Sequence, residues 1–184
     1  MSDPDILNSP VSLQRFRRHL LDWYRSNRRA LPWRKTRDPY RIWISEIMLQ
    51  QTRVAAVLEH YKLFLKRFPT VRHLAAASEA DVLTAWSGLG YYRRARMLHR
   101  AAKLVASTRA ARLPRSSAEL RELPGIGRYT ANAVASIAFN KPVAVVDGNV
   151  ERVLSRILRK TLTDDEFWST AQSLLDSKYP GDFN

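Results

Sequence analysis

The sequence predicts an all-α fold, and three features carry that prediction. Apolar residues recur at helical spacing through most of the 184 residues. Proline and glycine punctuate the chain between the periodic segments. Only one short run, Pro142–Val146, has strand character, and five residues between a helix and a turn are too few for a sheet. Nine or ten helices are expected.

The first helix covers Val11–Arg25, with Leu13, Phe16, Leu20, Leu21 and Trp23 or Tyr24 on one side. Pro32 and Pro39 break the pattern. Tyr40–Gln51 follows, with large apolar residues on more than one face, so this helix is expected to be largely buried. Amphipathic helices over Arg53–Phe68, Glu79–Trp86 and Tyr91–Ala106 come next, with Ser78 as an N-cap. A short helix at Ser116–Arg121 precedes Gly127–Ala138, Val150–Leu158 and Asp164–Leu175. No fixed-period repeat and no low-complexity tract appears.

Charge narrows the partners. Lys and Arg number 31 against 17 acids, a formal net charge of +14. Such a field attracts phosphate polyanions, and the excess of arginine suits forked contacts to phosphate. Cysteine is absent, so no disulfide and no thiolate metal ligand is available. No apolar run approaches a membrane span, and Met1–Pro10 is polar and acidic, unlike a signal peptide. The expected location is the cytoplasm of a bacterium or the nucleus of a eukaryote, without membrane contact.

The most specific local pattern is Leu123-Pro124-Gly125-Ile126-Gly127-Arg128-Tyr129-Thr130. Pro124 stops one helix, and another opens directly after Gly127. Gly125 and Gly127 are expected to permit positive φ and close backbone approach, with Ile126 plugged into the core. The opening amides of the second helix favour an anion. The pattern reads as a helix–hairpin–helix element that grips the DNA backbone without reading bases. A corner that needs glycine for geometry alone is the alternative.

Two carboxylates have chemistry-bearing surroundings. In a helix, Glu46 has Ile42, Trp43 and Leu49 as neighbours. An acid there is either salt-bridged or driven toward its neutral form, and a neutral acid can donate a proton. Asp147 follows Val143-Ala144-Val145-Val146 and precedes Gly148-Asn149. It is placed to cap a helix, and a carboxylate fixed at a helix start can also face a developing cation. An acid for the leaving group and a carboxylate for the sugar cation are what N-glycosidic cleavage requires.

Several segments coincide with one family. They are Leu31-Pro32-Trp33-Arg34, Trp43 to Thr52, Gly88-Leu89-Gly90-Tyr91-Tyr92, the Leu123–Thr130 hairpin and Val146-Asp147-Gly148-Asn149-Val150. In this order the chain resembles the helix–hairpin–helix glycosylases related to endonuclease III, most closely the MutY-type adenine DNA glycosylases. The resemblance implies two helical lobes, residues 28–138 ending in the hairpin, and 1–27 with 139–184. It implies Glu46 as the acid that protonates adenine, Asp147 as the carboxylate that stabilises the sugar cation, and Asn149 as an orienting residue. Tyr129 falls where lyase members carry their Schiff-base lysine, so a monofunctional enzyme is expected. Gln51, Thr52, Leu89 and Tyr91 match residues that enter the DNA stack or touch the opposing base. Trp33 and Arg34 match the adenine pocket, and Gly125, Gly127 and Arg128 the phosphate hairpin. Trp33, Leu89 and Tyr91 as plain core residues, and Gln51 and Thr52 as a solvated helix end, remain alternatives. Tyr91 and Tyr92 beside Arg93, Arg94 and Arg96 suggest a DNA edge.

The family also carries four cysteines binding a 4Fe-4S cluster beyond the point that corresponds to residue 184, and a C-terminal domain recognising 8-oxoguanine. Neither is present, so a fragment with an incomplete second lobe, no cofactor of its own and no metal site is expected. The implied function is removal of adenine mispaired with 8-oxoguanine or guanine in double-stranded DNA, by a monomer. A thymine-mismatch glycosylase of the same superfamily and a non-catalytic DNA-binding module are the alternatives.

Overall fold

The computed structural model describes residues 9–184, so Met1–Asn8, most of the polar stretch at the start of the chain, lies outside the described residues. Those residues form eleven α-helices and a 3-10 turn, with no strand among them. In chain order the helices are α1 (Pro10–Asn27), α2 (Pro39–Leu49), α3 (Val54–Arg67), α4 (Val71–Ala76), α5 (Glu79–Trp86) and α6 (Arg93–Thr108). They continue with α7 (Ser117–Arg121), α8 (Arg128–Phe139), α9 (Gly148–Leu158), α10 (Asp164–Leu174) and α11 (Pro180–Phe183). The 3-10 turn is Pro32–Lys35. The all-α expectation holds. The expected nine or ten helices become eleven, the two that the spacing did not announce being α4 and α11.

Residues fall into two compact units, one of residues up to Arg29 together with 135–184, the other Ala30–Val134. The division falls within α8.

The unit of residues 30–134 is built on α2 and α6. Pro39 opens α2 at a position where its missing N–H costs nothing, and the Asp38 carboxylate accepts from the amides of Tyr40 and Arg41. Every residue from Tyr40 to Met48 except Arg41 is buried, as the two-sided apolar pattern requires. Helix α6 is amphipathic instead, burying Ala95, Leu98, His99, Ala101, Ala102 and Val105. It packs on α4, α5 and α2, and α3 packs on α2 and α5. Edge-to-face aromatic pairs close the core, with Phe64 5.8 Å from Trp86 and Trp33 5.3 Å from Tyr61.

The other unit has its own core of Ala144, Val146, Leu154, Phe167, Ala171 and Leu174, with Leu13, Phe16 and Phe183 packed against it. Helix α10 starts with a capping box, Thr163 with Glu166. Arg17 reaches from α1 to donate to the carbonyls of Ser173 and Leu174, both at 2.9 Å, at the end of α10. The strand-like run Pro142–Val146 forms neither helix nor strand, and side-chain amides take the place of a neighbouring strand. Gln172 accepts from the Ala144 amide and donates to the Pro142 carbonyl, and Asn184 does the same for Val145 and Val143, at 2.9 to 3.0 Å. Buried backbone groups must find partners, and here two amides supply them.

Candidate active site and nucleic-acid interface

Glu46 lies in the middle of α2 and is 8% exposed. Its helix neighbours Ile42 and Trp43 are buried, as expected from the spacing. Trp43 Nε1, one turn earlier, is buried without a hydrogen-bond partner among the described residues.

Asp147 caps α9, and both of its carboxylate oxygens are engaged. Oδ1 accepts from the amides of Asn149 at 3.0 Å and Val150 at 2.9 Å. Oδ2 accepts from Asn149 Nδ2 at 3.0 Å. Arg152 donates to Asn149 Oδ1 at 3.1 Å, which fixes the direction of that amide. Glu46 belongs to the unit of residues 30–134 and Asp147 to the other.

The hairpin between α7 and α8 is a tight turn in which the Ile126 amide donates to the Leu123 carbonyl at 3.1 Å. Ile126 is buried, as expected. The two glycines differ: both permit positive φ, and of the pair Gly125 alone adopts it. Gly125 has φ +77, and a Cβ there would stand 2.5 Å from Met97 Cβ of α6. Gly127 has an ordinary φ and open space around it. Gly125 is therefore demanded by the fold, while Gly127 leaves the start of α8 bare. Arg128 is exposed beside it, and Tyr129 is half-buried.

Of the residues expected at the DNA stack, Gln51 is exposed and Tyr91 is 61% exposed. Thr52 is half-buried, and Leu89 is 5% exposed and belongs to the core. Trp33 is buried against Tyr61, and Arg34 beside it is exposed. Gln51 and Tyr91 are both in the left-handed region, at φ 55 and 47. Neither is glycine or asparagine, so each position carries backbone strain. Tyr91 consequently stands outside α6, which starts at Arg93 and not at Tyr91 as its spacing suggests.

Arg94 corrects the reading of the Arg93–Arg96 run as a uniform DNA edge. Its guanidinium turns inward. Nη1 donates to the carbonyls of Ile47 and Met48, both at 3.0 Å, and to that of Gln50. Nη2 donates to Thr52 Oγ1 at 3.0 Å and to the carbonyls of Leu89 and Gly90 at 3.3 and 3.4 Å. The guanidinium also lies over the rings of Tyr91 and Trp86, at 5.4 and 5.5 Å from their centroids. Burial lowers its pKa from the usual arginine value, with Tyr91 opposing. The loop after α2 has a second tie, Gln50 Nε2 to Thr130 Oγ1 of α8 at 3.1 Å. Arg96, by contrast, is exposed and pairs with Glu79 at 3.2 Å, while Arg93, Arg100 and Lys103 are exposed on α6.

The sequence has no cysteine, and no group of three or more His, Asp or Glu among the described residues is placed to hold a metal ion. These residues do not fit a thiolate-bound cluster. No described helix is long and apolar enough to cross a membrane.

Residues 44–172 match the HhH-GPD superfamily of base excision DNA repair proteins. The chain is similar to the adenine DNA glycosylase of Homo sapiens, 45% identical over 92% of this chain and 34% of that protein. Its similarity to the adenine DNA glycosylase of Rattus norvegicus is 42% over 98% of this chain and 40% of the other. The chain thus spans about a third to two-fifths of the length of these curated relatives. Among solved structures it resembles a thermostable thymine-DNA glycosylase, with a TM-score of 0.85 and 30% identity over 94% of this chain and 82% of that one. It also resembles endonuclease III trapped on DNA, with a TM-score of 0.65 and 25% identity over 88% and 84% of the two chains. With more than half of its length matched by the family, and with the hairpin glycines and the Asp147 cap in place, this chain belongs to the HhH-GPD superfamily of base excision DNA repair proteins.

Proposed function

We propose that this chain hydrolyses the N-glycosidic bond of adenine mispaired with 8-oxoguanine or guanine in duplex DNA. The observation that carries the reading is Asp147, held at the start of α9 with both carboxylate oxygens bonded. A fixed carboxylate offers its charge to an oxocarbenium-like sugar without reorganising when that charge develops. Glu46 supplies the proton that lets adenine leave as the bond from its nitrogen to the sugar breaks. Water then adds to the sugar carbon through its oxygen, and the proton it releases restores the Glu46 acid. Tyr129 offers no amine, so no imine forms and the strand stays intact.

Duplex DNA reaches the protein through its positive charge, with the Gly125–Arg128 turn on a phosphate. Gln51 and Tyr91 enter or contact the opened stack, helping to offset an extrusion cost of a few kcal/mol. Leu89, buried as it is, anchors its loop. Trp33 and Arg34 line the base pocket.

The test is base release from duplexes carrying adenine opposite 8-oxoguanine, adenine opposite guanine, and thymine opposite guanine. Adenine release from the first two, lost in Glu46→Gln, is expected. A second reading, thymine excision, is favoured by the likeness to the thermostable thymine-DNA glycosylase. Thymine release alone would establish it. Salt-sensitive duplex binding without any base release would make the chain a binding module.

A further inference from the structure

Two strained residues, Gln51 and Tyr91, lie on separate loops, and one side chain ties both loops down. Arg94 donates to the carbonyl of Gln50, the residue before Gln51, and to that of Gly90, the residue before Tyr91. It holds Thr52 Oγ1 and the Leu89 carbonyl as well. Its stem rises from the first turn of α6. Its other bonds, to Ile47 and Met48, take up carbonyls at the C-terminal end of α2, where the helix leaves acceptors without amide partners. Six acceptors share the hydrogens of two guanidinium nitrogens. The guanidinium presents its donors in a planar fork, which a lysine ammonium cannot reproduce.

We infer that Arg94 is a positioning residue that locks the Gln50–Thr52 and Gly88–Tyr91 loops into one rigid probe, presenting Gln51 and Tyr91 together to an opened duplex. What the probe does rests on the glycosylase reading; how it is held does not. Left-handed φ at a non-glycine residue persists only where the surroundings over-determine it. Here Arg94 bonds the carbonyl immediately before each strained residue, and its guanidinium lies against the ring of Tyr91. Trp86 Nε1 adds a bond to Gly90 at 3.2 Å, so the second loop is braced from α5 as well. The exposed side chains are thus mounted on a rigid base, which spares the ordering cost of two mobile loops on binding. In the sequence Arg94 looks like any member of a basic run; its partners single it out.

The test compares the 184-residue chain with Arg94→Lys and Arg94→Met in three measurements. Hydrogen exchange should rise in both variants at residues 50–52 and 88–91, while the amides of α3 and α4 stay protected. Affinity for a duplex containing a stable abasic-site analogue should fall about tenfold or more, with affinity for undamaged duplex changing less than about twofold. Fluorescence of 2-aminopurine placed as the target base should lose its extrusion signal. Arg94→Lys keeps the charge and is the milder change, so the comparison survives if Arg94→Met does not fold. Wild-type exchange and wild-type abasic-duplex affinity in Arg94→Lys would overturn the proposal, as would exchange that rises across the whole unit. If wild type releases no adenine but the loops loosen and abasic-duplex affinity falls as stated, the adenine reading fails and the positioning role stands.

Discussion

Asn149 Nδ2 donates to Asp147 Oδ2 at 3.0 Å, and its own carbonyl oxygen accepts from Arg152 at 3.1 Å. The amide is thus oriented from outside, and Asp147 receives a third hydrogen bond beyond the two that cap α9. Capping and chemistry can be separated here. Asparagine caps a helix about as well as aspartate, so Asp147→Asn should unfold within about 1 kcal/mol of wild type. It removes the charge, so adenine release should drop at least about a hundredfold. Thermal melts beside single-turnover rates check both numbers.

Removing the orienting amide should act more gently. Asn149→Ala leaves the two backbone bonds to Oδ1 intact but frees Oδ2. Stability should change by less than about 1 kcal/mol, and adenine release should slow by about tenfold to a hundredfold. Arg152→Met should show the same direction with a smaller effect. A rate effect for Arg152→Met larger than that for Asn149→Ala would break the relay.

The hairpin glycines should part company. Gly125→Ala meets both positive φ and Met97 Cβ at 2.5 Å, so it should lose about 2 to 4 kcal/mol of stability. Gly127→Ala has open space and should melt close to wild type, yet weaken duplex binding by crowding the phosphate. Urea melts and salt titrations of binding separate the two effects.

Gln51 offers a third contrast. Glycine tolerates φ 55 without strain, so Gln51→Gly should be as stable as wild type or up to about 1 kcal/mol more so, despite the entropy glycine adds to the unfolded chain. Its adenine release should still fall, because the side chain is gone. A clear loss of stability would show that Gln51 contributes a contact to the fold.

Acid should weaken the fold in two windows. Burial holds the His99 pKa below its usual 6.5, helped by Lys103 and opposed by the Ala77 carbonyl and Glu79. The unfolded chain therefore takes up this proton first. The stability that His99 gives is complete above about pH 6.5 and declines as the pH falls below it. Glu166, held at about 2 by the Thr163 amide, Lys160 and the Thr163 hydroxyl, keeps its contribution above 4.5 and loses it as the pH falls toward about 2. His99→Gln should flatten the first window and Glu166→Gln the second, in melts across pH 2 to 8.

The large features were legible because periodicity and breakers are local. Helix α2 is buried on nearly all sides, and its run of apolar residues said so. Ile126 between two glycines had only the core to enter. Ser78 announced its cap. What stayed hidden depends on partners far away in the chain. Arg94 is one arginine among several until the carbonyls of Ile47, Met48, Gln50, Leu89 and Gly90 converge on it. Positive φ at Gln51 and Tyr91 has no compositional sign, since neither residue favours it. The pairing of Pro142–Val145 with the amides of Gln172 and Asn184 spans 28 to 41 residues.

On the proposed reading Glu46 and Asp147 are each needed for adenine release, and the strand stays whole. Its most direct measurement is single-turnover processing of an adenine:8-oxoguanine duplex, with free adenine counted by chromatography and strand breaks scored before and after hot alkali. Adenine release by wild type, breaks only after alkali, and loss of release in Glu46→Gln and Asp147→Asn are expected. Release unchanged in either variant, or breaks before alkali at the rate of adenine release, would contradict it.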